Sequence, residues 1–229
     1  MEKLPATHDV SPAIQDYLKC CYQLADPTGQ GVAMVQVAEA LRVTAPSVTN
    51  MVKRLEDLRL LRRTPHGRLI LTVRGEGIAL EVIRHHRLLE TFLVDTLGMG
   101  WGEAHKEAEI LEHYISEHLE QLIDSHLANP RRDPHGEPIP RRDGLLPHRT
   151  SATLLEAPCN TPLRIVQLRS QDPTMLRYLE ETRLHPGARI TLREIAPFNG
   201  ALAVRIGRET RHISRDVAAC IFVLQTTGK

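Results

Sequence analysis

Apolar positions recur at helical spacing from residue 11 to about 127, then at the two-residue spacing of strands from 154 to 224. Ser11-Pro12 offers an N-cap and a first-turn proline, and Ile14, Tyr17, Leu18, Cys21 and Leu24 follow on one face, closed by a turn at Asp26-Pro27-Thr28-Gly29. Residues 34–60 read helix–turn–helix. Val35, Val37, Ala38 and Leu41 mark a short first helix and Val43-Thr44-Ala45 the turn. Pro46 opens a second helix that turns Val48, Met51, Val52, Leu55 and Leu58 inward. Leu60–Thr72 reads as a hairpin turning at Pro65–Gly67, the wing of a winged helix–turn–helix. A long helix is expected over 75–97, with two apolar stripes through Ile78, Val82, Ile83, Leu89, Phe92, Leu93 and Leu97, more than one flank needs, so it offers a subunit interface. Gly98-Met99-Gly100 separates it from a helix over 102–127. Strand-like runs at 163–168, 189–195, 202–206 and 220–224, with a helix after Asp172-Pro173, predict a small β-barrel.

The expected fold is therefore mainly α with a small β domain. Three domains are expected: a winged helix–turn–helix at 1–74, a helical segment with a Pro/Arg-rich linker at 75–150, and the β domain at 151–229. The linker, 129–150, has no period, and its lone His135 and His148 are expected in solvent.

Overall charge, +1, names no partner, but its distribution does. Residues 1–75 hold ten basic and seven acidic side chains, a net of +3, whereas 76–127 hold three against eleven, a net of −8. That acidic stretch also contains six of the twelve His, a composition that attracts cations, while the basic N-terminal segment suits an anion. The four Cys show no CxxC spacing, which points to a reduced, cytoplasmic chain without a structural zinc motif. The N-terminus lacks an apolar signal core, and there is no run of eighteen apolar residues, so no membrane partner is expected. At 3% aromatics, stacking platforms for single-stranded nucleic acid are excluded.

Within the acidic stretch, His105, Glu109, Glu112 and His113 stand at i, i+4, i+7 and i+8, one face of a continuous helix, and His86 and Glu90 repeat the i, i+4 spacing upstream. Imidazoles and carboxylates projecting from facing helices are how helical proteins hold metals. A solvated acidic face is the alternative, but Ile110, Leu111 and Ile115 lie beside the cluster and favour half-burial. The outward residues at the start of the second HTH helix, Ser47, Thr49, Asn50 and Lys53, with Thr44 and Pro46 at its tip, suit a helix N-terminus entering a DNA major groove. Arg62, Arg63 and Arg68 of the wing are candidates for phosphate contacts.

Taken in order, these motifs resemble the diphtheria toxin repressor and manganese transport regulator family. The marks are Tyr17-Leu18, the winged HTH, Arg-His-His-Arg-Leu-Leu-Glu at 84–90, Glu109-x-x-Glu112-His113 and His135-Gly136-Glu137-Pro138-Ile139-Pro140. The resemblance covers residues 11–224 and implies a metal-activated homodimeric repressor with an SH3-like (FeoA-like) third domain. It implies a primary metal site of Asp16, Glu109, Glu112 and His113 and an ancillary site of His86, Glu90 and His105. Iron-responsive members carry a Met and a Cys in the primary site; Asp16 and Glu109 resemble manganese-responsive members, and carboxylate oxygen suits hard Mn(II). Lys19 stands where manganese regulators have a Glu, which favours two separate sites over a two-manganese cluster. Ser170, Gln171 and Asp172 fall where iron regulators reach the ancillary site from the third domain, although Asp172 also reads as a helix cap.

The expected function is a Mn(II)-responsive repressor of metal-uptake genes, with Fe(II) as the alternative ion. Two rival classes are a dinuclear-metal enzyme, for which no nucleophile motif or phosphate loop is present, and a constitutive DNA-binding protein with a structural metal.

Overall fold

A computed structural model describes residues 10–25, 30–144, 146 and 151–226. The turn expected at 26–29 and His148 lie outside the described residues. The described chain forms two compact units, one from Met1–His86, Ile110–Glu117 and Pro140–Leu145, the other from Arg87–Glu109, His118–Ile139 and Leu146–Lys229. Both draw on the stretch 75–150.

The first unit opens with α1 (Pro12–Leu24), whose Pro12 lies in the first turn behind an extended Ser11. Then come α2 (Met34–Leu41) and α3 (Ala45–Asp57). Thr44 caps α3, its hydroxyl accepting from Ser47 N at 3.4 Å. Strands β1 (Leu61–Arg63) and β2 (Leu69–Leu71) pair antiparallel, Leu61 opposite Leu71, across a turn where Gly67 has φ +74°. Ile14, Leu18, Val37, Val48, Val52, Leu55, Leu60, Leu69, Ile78 and Val82 fill the core between these elements. This is the winged helix–turn–helix that the apolar period implies. Helix α4 (Val73–Asp95) starts against the hairpin so closely that a Cβ on Gly75 would sit 1.9 Å from the Leu60 carbonyl oxygen.

The helix expected over 102–127 is two helices, α5 (Trp101–Leu111) and α6 (Glu117–His126). Tyr114 N and Ile115 N both donate to Leu111 O, at 3.0 and 3.1 Å, which tightens the last turn. The Glu112 carbonyl in this break faces His85 Nδ1 at 3.2 Å, a contact across 27 positions that no local period reports.

In the second unit, β3 (Ala152–Thr153), β4 (Pro162–Leu168), β5 (Arg189–Ile195), β6 (Leu202–Ile206), β7 (Glu209–Ile213) and β8 (Ile221–Gln225) form one antiparallel sheet in the order β3-β8-β4-β5-β6-β7. Bulges at Ile165/Gln167 and Leu192/Glu194 bend it. The barrel expected here is not closed: among the described residues β3 and β7 remain edges, and β3 has only two residues with which to pair. Helices α7 (Pro173–Glu181) and α8 (Arg215–Cys220) belong to the same domain. Leu163, Ile165, Leu168, Leu176, Leu179, Leu192, Leu202, Val204 and Ile221 form its core, joined by Trp101 of α5.

Candidate metal centre

Three side chains of the first unit converge. Asp16 projects from α1, and Glu112 and His113 from the turn that follows α5. His113 Nε2 lies 3.1 Å from Asp16 Oδ1 and 3.7 Å from Glu112 Oε1. One ligand atom from each falls within 4.8 Å of the others, close to what opposite corners of a coordination sphere of radius about 2.2 Å span. The Asp16 side chain is 42% exposed and that of Glu112 fully buried, so the group has one wet side and one dry. Gln15, itself buried, fixes the imidazole: His113 Nδ1 donates to its Oε1 at 2.6 Å, while Gln15 Nε2 donates to the Val10 carbonyl. The hydrogen bond to Asp16 raises the His113 pKa against the lowering effect of burial. Nε2 is thereby aimed at the two carboxylates, as a metal-binding imidazole requires.

Glu112 does more than face His113. Lys19 Nζ donates to both of its oxygens at 2.8 Å, and His86 Nδ1 donates to Oε2 at 2.6 Å. Lys19 itself is buried. The remaining member of the expected primary set, Glu109, is on α5, 44% exposed, with Oε1 4.0 Å from His105 Nε2. The end of α5 at Leu111 thus separates residues expected on one helical face: Glu109 is on the helix, Glu112 and His113 in the turn.

The second unit holds a group that sequence reasoning missed. Glu90, Asp133 and His135 are all buried and also lie within 4.8 Å of one another by one ligand atom each. His105 Nδ1 donates to Glu90 Oε1 at 2.8 Å, and His135 Nδ1 is 3.6 Å from Glu90 Oε2. His135, expected in solvent, is 4% exposed. Among the described residues its buried Nε2 has no hydrogen-bond partner, an arrangement open to a metal ion when the ring is neutral. The segment expected as linker is instead folded into place. Asp133 Oδ1 accepts from the backbone N–H of His135 and Glu137, at 2.9 and 2.8 Å, and Leu168 N of β4 donates to His135 O at 2.8 Å. Gly136 has φ +80°, and a Cβ there would meet Val166 O at 2.4 Å. Trp101 packs edge-on against the His135 ring at 5.0 Å. Burial pushes the Asp133 carboxyl up to about 7. Burial alone would lower the His135 pKa, but its bond to Glu90 and the charges of Glu90, Asp133 and Glu137 raise it.

The third domain reaches this group through Gln167, whose Nε2 donates to Glu137 Oε1 at 3.3 Å. Asp172, by contrast, caps α7, accepting from Thr174 N at 2.8 Å, and Ser170 Oγ accepts from Asp172 N.

Both groups offer only carboxylate oxygen and imidazole nitrogen. That donor chemistry fits a divalent cation of the harder first-row kind, and the orphaned His135 Nε2 is the observation that fits it best. Sulfur stands aside: burial pushes the Cys20 and Cys21 thiols up to about 11 and about 12.

On α3, Ser47, Thr49, Asn50 and Lys53 are exposed, as are Thr44 and Pro46 at its start. The wing arginines differ. Arg62 is exposed; Arg63 pairs with Glu56 at 2.8 Å. Arg68 donates from Nε and Nη2 to the Gly31 carbonyl at 2.9 and 2.7 Å, so it braces the wing from within.

A winged helix–turn–helix, helices bearing His and carboxylate clusters and an SH3-like sheet together define a metal-dependent transcriptional repressor. Family models agree along the chain. Residues 9–67 match "Iron dependent repressor, N-terminal DNA binding domain", 72–141 match "Iron dependent repressor, metal binding and dimerisation domain", and 152–225 match the FeoA domain. The chain is 32% identical to the iron-dependent repressor IdeR of Mycobacterium leprae (strain TN), covering 94% of this chain and 98% of that one. It is 33% identical to IdeR of Mycobacterium tuberculosis (strain ATCC 25618 / H37Rv), over 90% and 94%. Among solved structures, a manganese-dependent transcriptional repressor in complex with manganese matches with a TM-score of 0.85 and 34% identity, covering 93% of this chain and all of that one. The manganese regulator SloR matches at 0.78 and 30%, over 95% of this chain and all of that one. The chain belongs to the iron-dependent repressor family, that of the diphtheria toxin repressor, whose members here are regulators rather than enzymes.

Proposed function

We propose that this chain is a Mn(II)-responsive repressor that binds a pseudo-palindromic operator as a homodimer inside the cell and controls metal-uptake genes. The observation that carries the reading is the convergence of Asp16 on α1 with Glu112 and His113 of the turn after α5, an all-oxygen-and-nitrogen set. Asp16 stands on α1, and Ile14, Tyr17 and Leu18 of that helix share a core with Val48, Val52 and Leu55 of the DNA-reading α3. Ligation would restrain α1 and bias the DNA-binding unit toward one of its conformations. Asp16, Glu112 and His113 form the primary site in this reading; Glu109, the fourth residue expected there, belongs to the other unit. Glu90, Asp133 and His135 form a second site. His105 orients Glu90 through its Nδ1; His86, expected in this shell, is bonded instead to Glu112 within the first unit. A bound cation would add positive charge between the two carboxylates of each group.

Thr44, Pro46, Ser47, Thr49, Asn50 and Lys53 present the surface that would enter a major groove, and Arg62 is the wing residue best placed for phosphate. Leu119 and Leu122, exposed three residues apart on α6, with Leu97, give apolar surface for a second copy. Fe(II) is the second reading, supported by the identity to the mycobacterial iron-dependent repressors.

The test is fluorescence anisotropy of chelator-treated protein on promoter DNA of a manganese transporter gene, titrated with Mn(II) and, without oxygen, with Fe(II). The expected result is a gain in DNA affinity at micromolar Mn(II) that falls as salt rises. Equal affinity with and without either metal would turn the site into a structural one.

A further inference from the structure

The primary group contains a cation of its own. Lys19 Nζ sits 2.8 Å from each oxygen of Glu112 and 3.4 Å from His86 Nδ1, and the two side chains of the ion pair are 7% and 0% exposed. An ammonium so placed covers both oxygens of the carboxylate. Glu112 is at the same time the buried member of the Asp16–Glu112–His113 group. Any divalent cation held by that group must draw on the carboxylate that Lys19 already engages, and must do so a few ångströms from a fixed positive charge screened by little water.

We infer that Lys19 is an internal competitor cation that sets the metal threshold of the primary site: its ammonium holds Glu112, and a divalent ion must take that carboxylate from it. The inference rests on the reading of Asp16, Glu112 and His113 as a metal site. Lys19 has a second effect in the same geometry. It projects from α1, and Glu112 from the turn after α5, so the ion pair ties together the two elements that ligation would tie. The chain therefore holds its primary site nearly assembled at a lower net negative charge. Part of what metal binding gains is offset by the pair that it disturbs. Such a site responds only when metal is plentiful, which is what a homeostatic repressor needs.

The test compares the full chain with Lys19→Gln, Lys19→Met and Lys19→Arg. Mn(II) binding is followed by the electron paramagnetic resonance signal of free Mn(II). The class of sites lost in Asp16→Ala is assigned to the primary group. Thermal unfolding is recorded with and without Mn(II). Lys19→Gln should bind Mn(II) at that class about tenfold tighter or more, since a neighbouring like charge is removed. It should unfold at a lower temperature without metal and gain more on adding it, while Lys19→Arg stays close to the parent. Lys19→Met should act as Lys19→Gln does, and if its unpaired Glu112 prevents folding, the amide variant decides alone. A folded Lys19→Gln that binds no tighter than the parent overturns the inference. If Asp16→Ala abolishes no class of sites, the metal reading of the group falls and the inference with it; if Asp16→Ala removes a class that Lys19→Gln leaves unchanged, only the inference falls.

Discussion

The two carboxylate–imidazole groups solve the same electrostatic problem differently. In the Asp16–Glu112–His113 group one carboxylate is 42% exposed, and the buried one carries Lys19 as counter-ion. In the Glu90–Asp133–His135 group all three members are buried, and Arg87 faces Asp133 while His105 donates to Glu90. Arg87 is partly spent elsewhere. Its Nη2 binds Glu137 at 2.6 Å and its Nη1 the Pro138 carbonyl at 2.7 Å, leaving Nε 3.7 Å from Asp133. The first group is thus poised by a fixed positive side chain, the second by a carboxyl whose pKa burial has raised to about 7. Under the proposed reading, an amino acid would tune the first group and a proton the second.

Breaking the first group at its buried carboxylate should have the largest effect. Glu112→Ala leaves Lys19 buried without its carboxylate, and such a loss costs about 3–5 kcal/mol. Urea unfolding should show it as a lower midpoint, and the variant should not bind DNA in response to Mn(II). Asp16→Ala comes next. Metal-dependent DNA affinity should fall on the order of 100-fold, while stability stays within about 0.5 kcal/mol because the side chain is half in water. Retention of a full metal response by this variant would separate the group from DNA binding. Gln15→Leu sharpens the comparison further: it keeps every ligand but frees the His113 ring, and Mn(II) affinity should weaken about tenfold. Unchanged calorimetric affinity would show that the ring needs no anchor.

The smallest effect tests the second group. The folded-state pKa values of Asp133 and His135 are both raised. The folded protein therefore holds protons that the unfolded chain releases, so their contribution is present at low pH and is lost as pH rises through about 7. Without added metal, urea stability should decline between pH 6 and 8, and Asp133→Asn should flatten that decline. A profile that rises over this range in the parent would contradict the burial argument.

Much of this was legible from residue spacing alone. Helices α1 to α4 and the hairpin follow from apolar periods and turn residues, because each is decided by contacts a few positions apart. The strands β4, β5 and β6 were legible for the same reason, whereas β7, Glu-Thr-Arg-His-Ile, carries too little apolar signal to declare itself. The break between α5 and α6 escaped because the buried positions Ala108, Glu112 and Ile115 keep helical spacing across it. The second group escaped for a different reason. Residues 129–140 look like a linker by composition, and bonds to β4, Glu90 and Arg87, tens of residues away, help to turn Asp133 and His135 inward. Asp16, half-exposed in a first helix, is pointed to only by the family resemblance; its own position reads better as an ordinary exposed first-turn Asp.

The two adjacent cysteines of α1 have a bearing on oxidative stress. Both are buried and hold their protons far above neutral pH, and neither group of proposed ligands uses sulfur. Peroxide reacts with thiolate, not with carboxylate or a shielded thiol. A regulator with the proposed ligand set would keep its coordinating atoms chemically intact in an oxidised cell, and so would still report metal supply when thiolate-based sensors have been silenced.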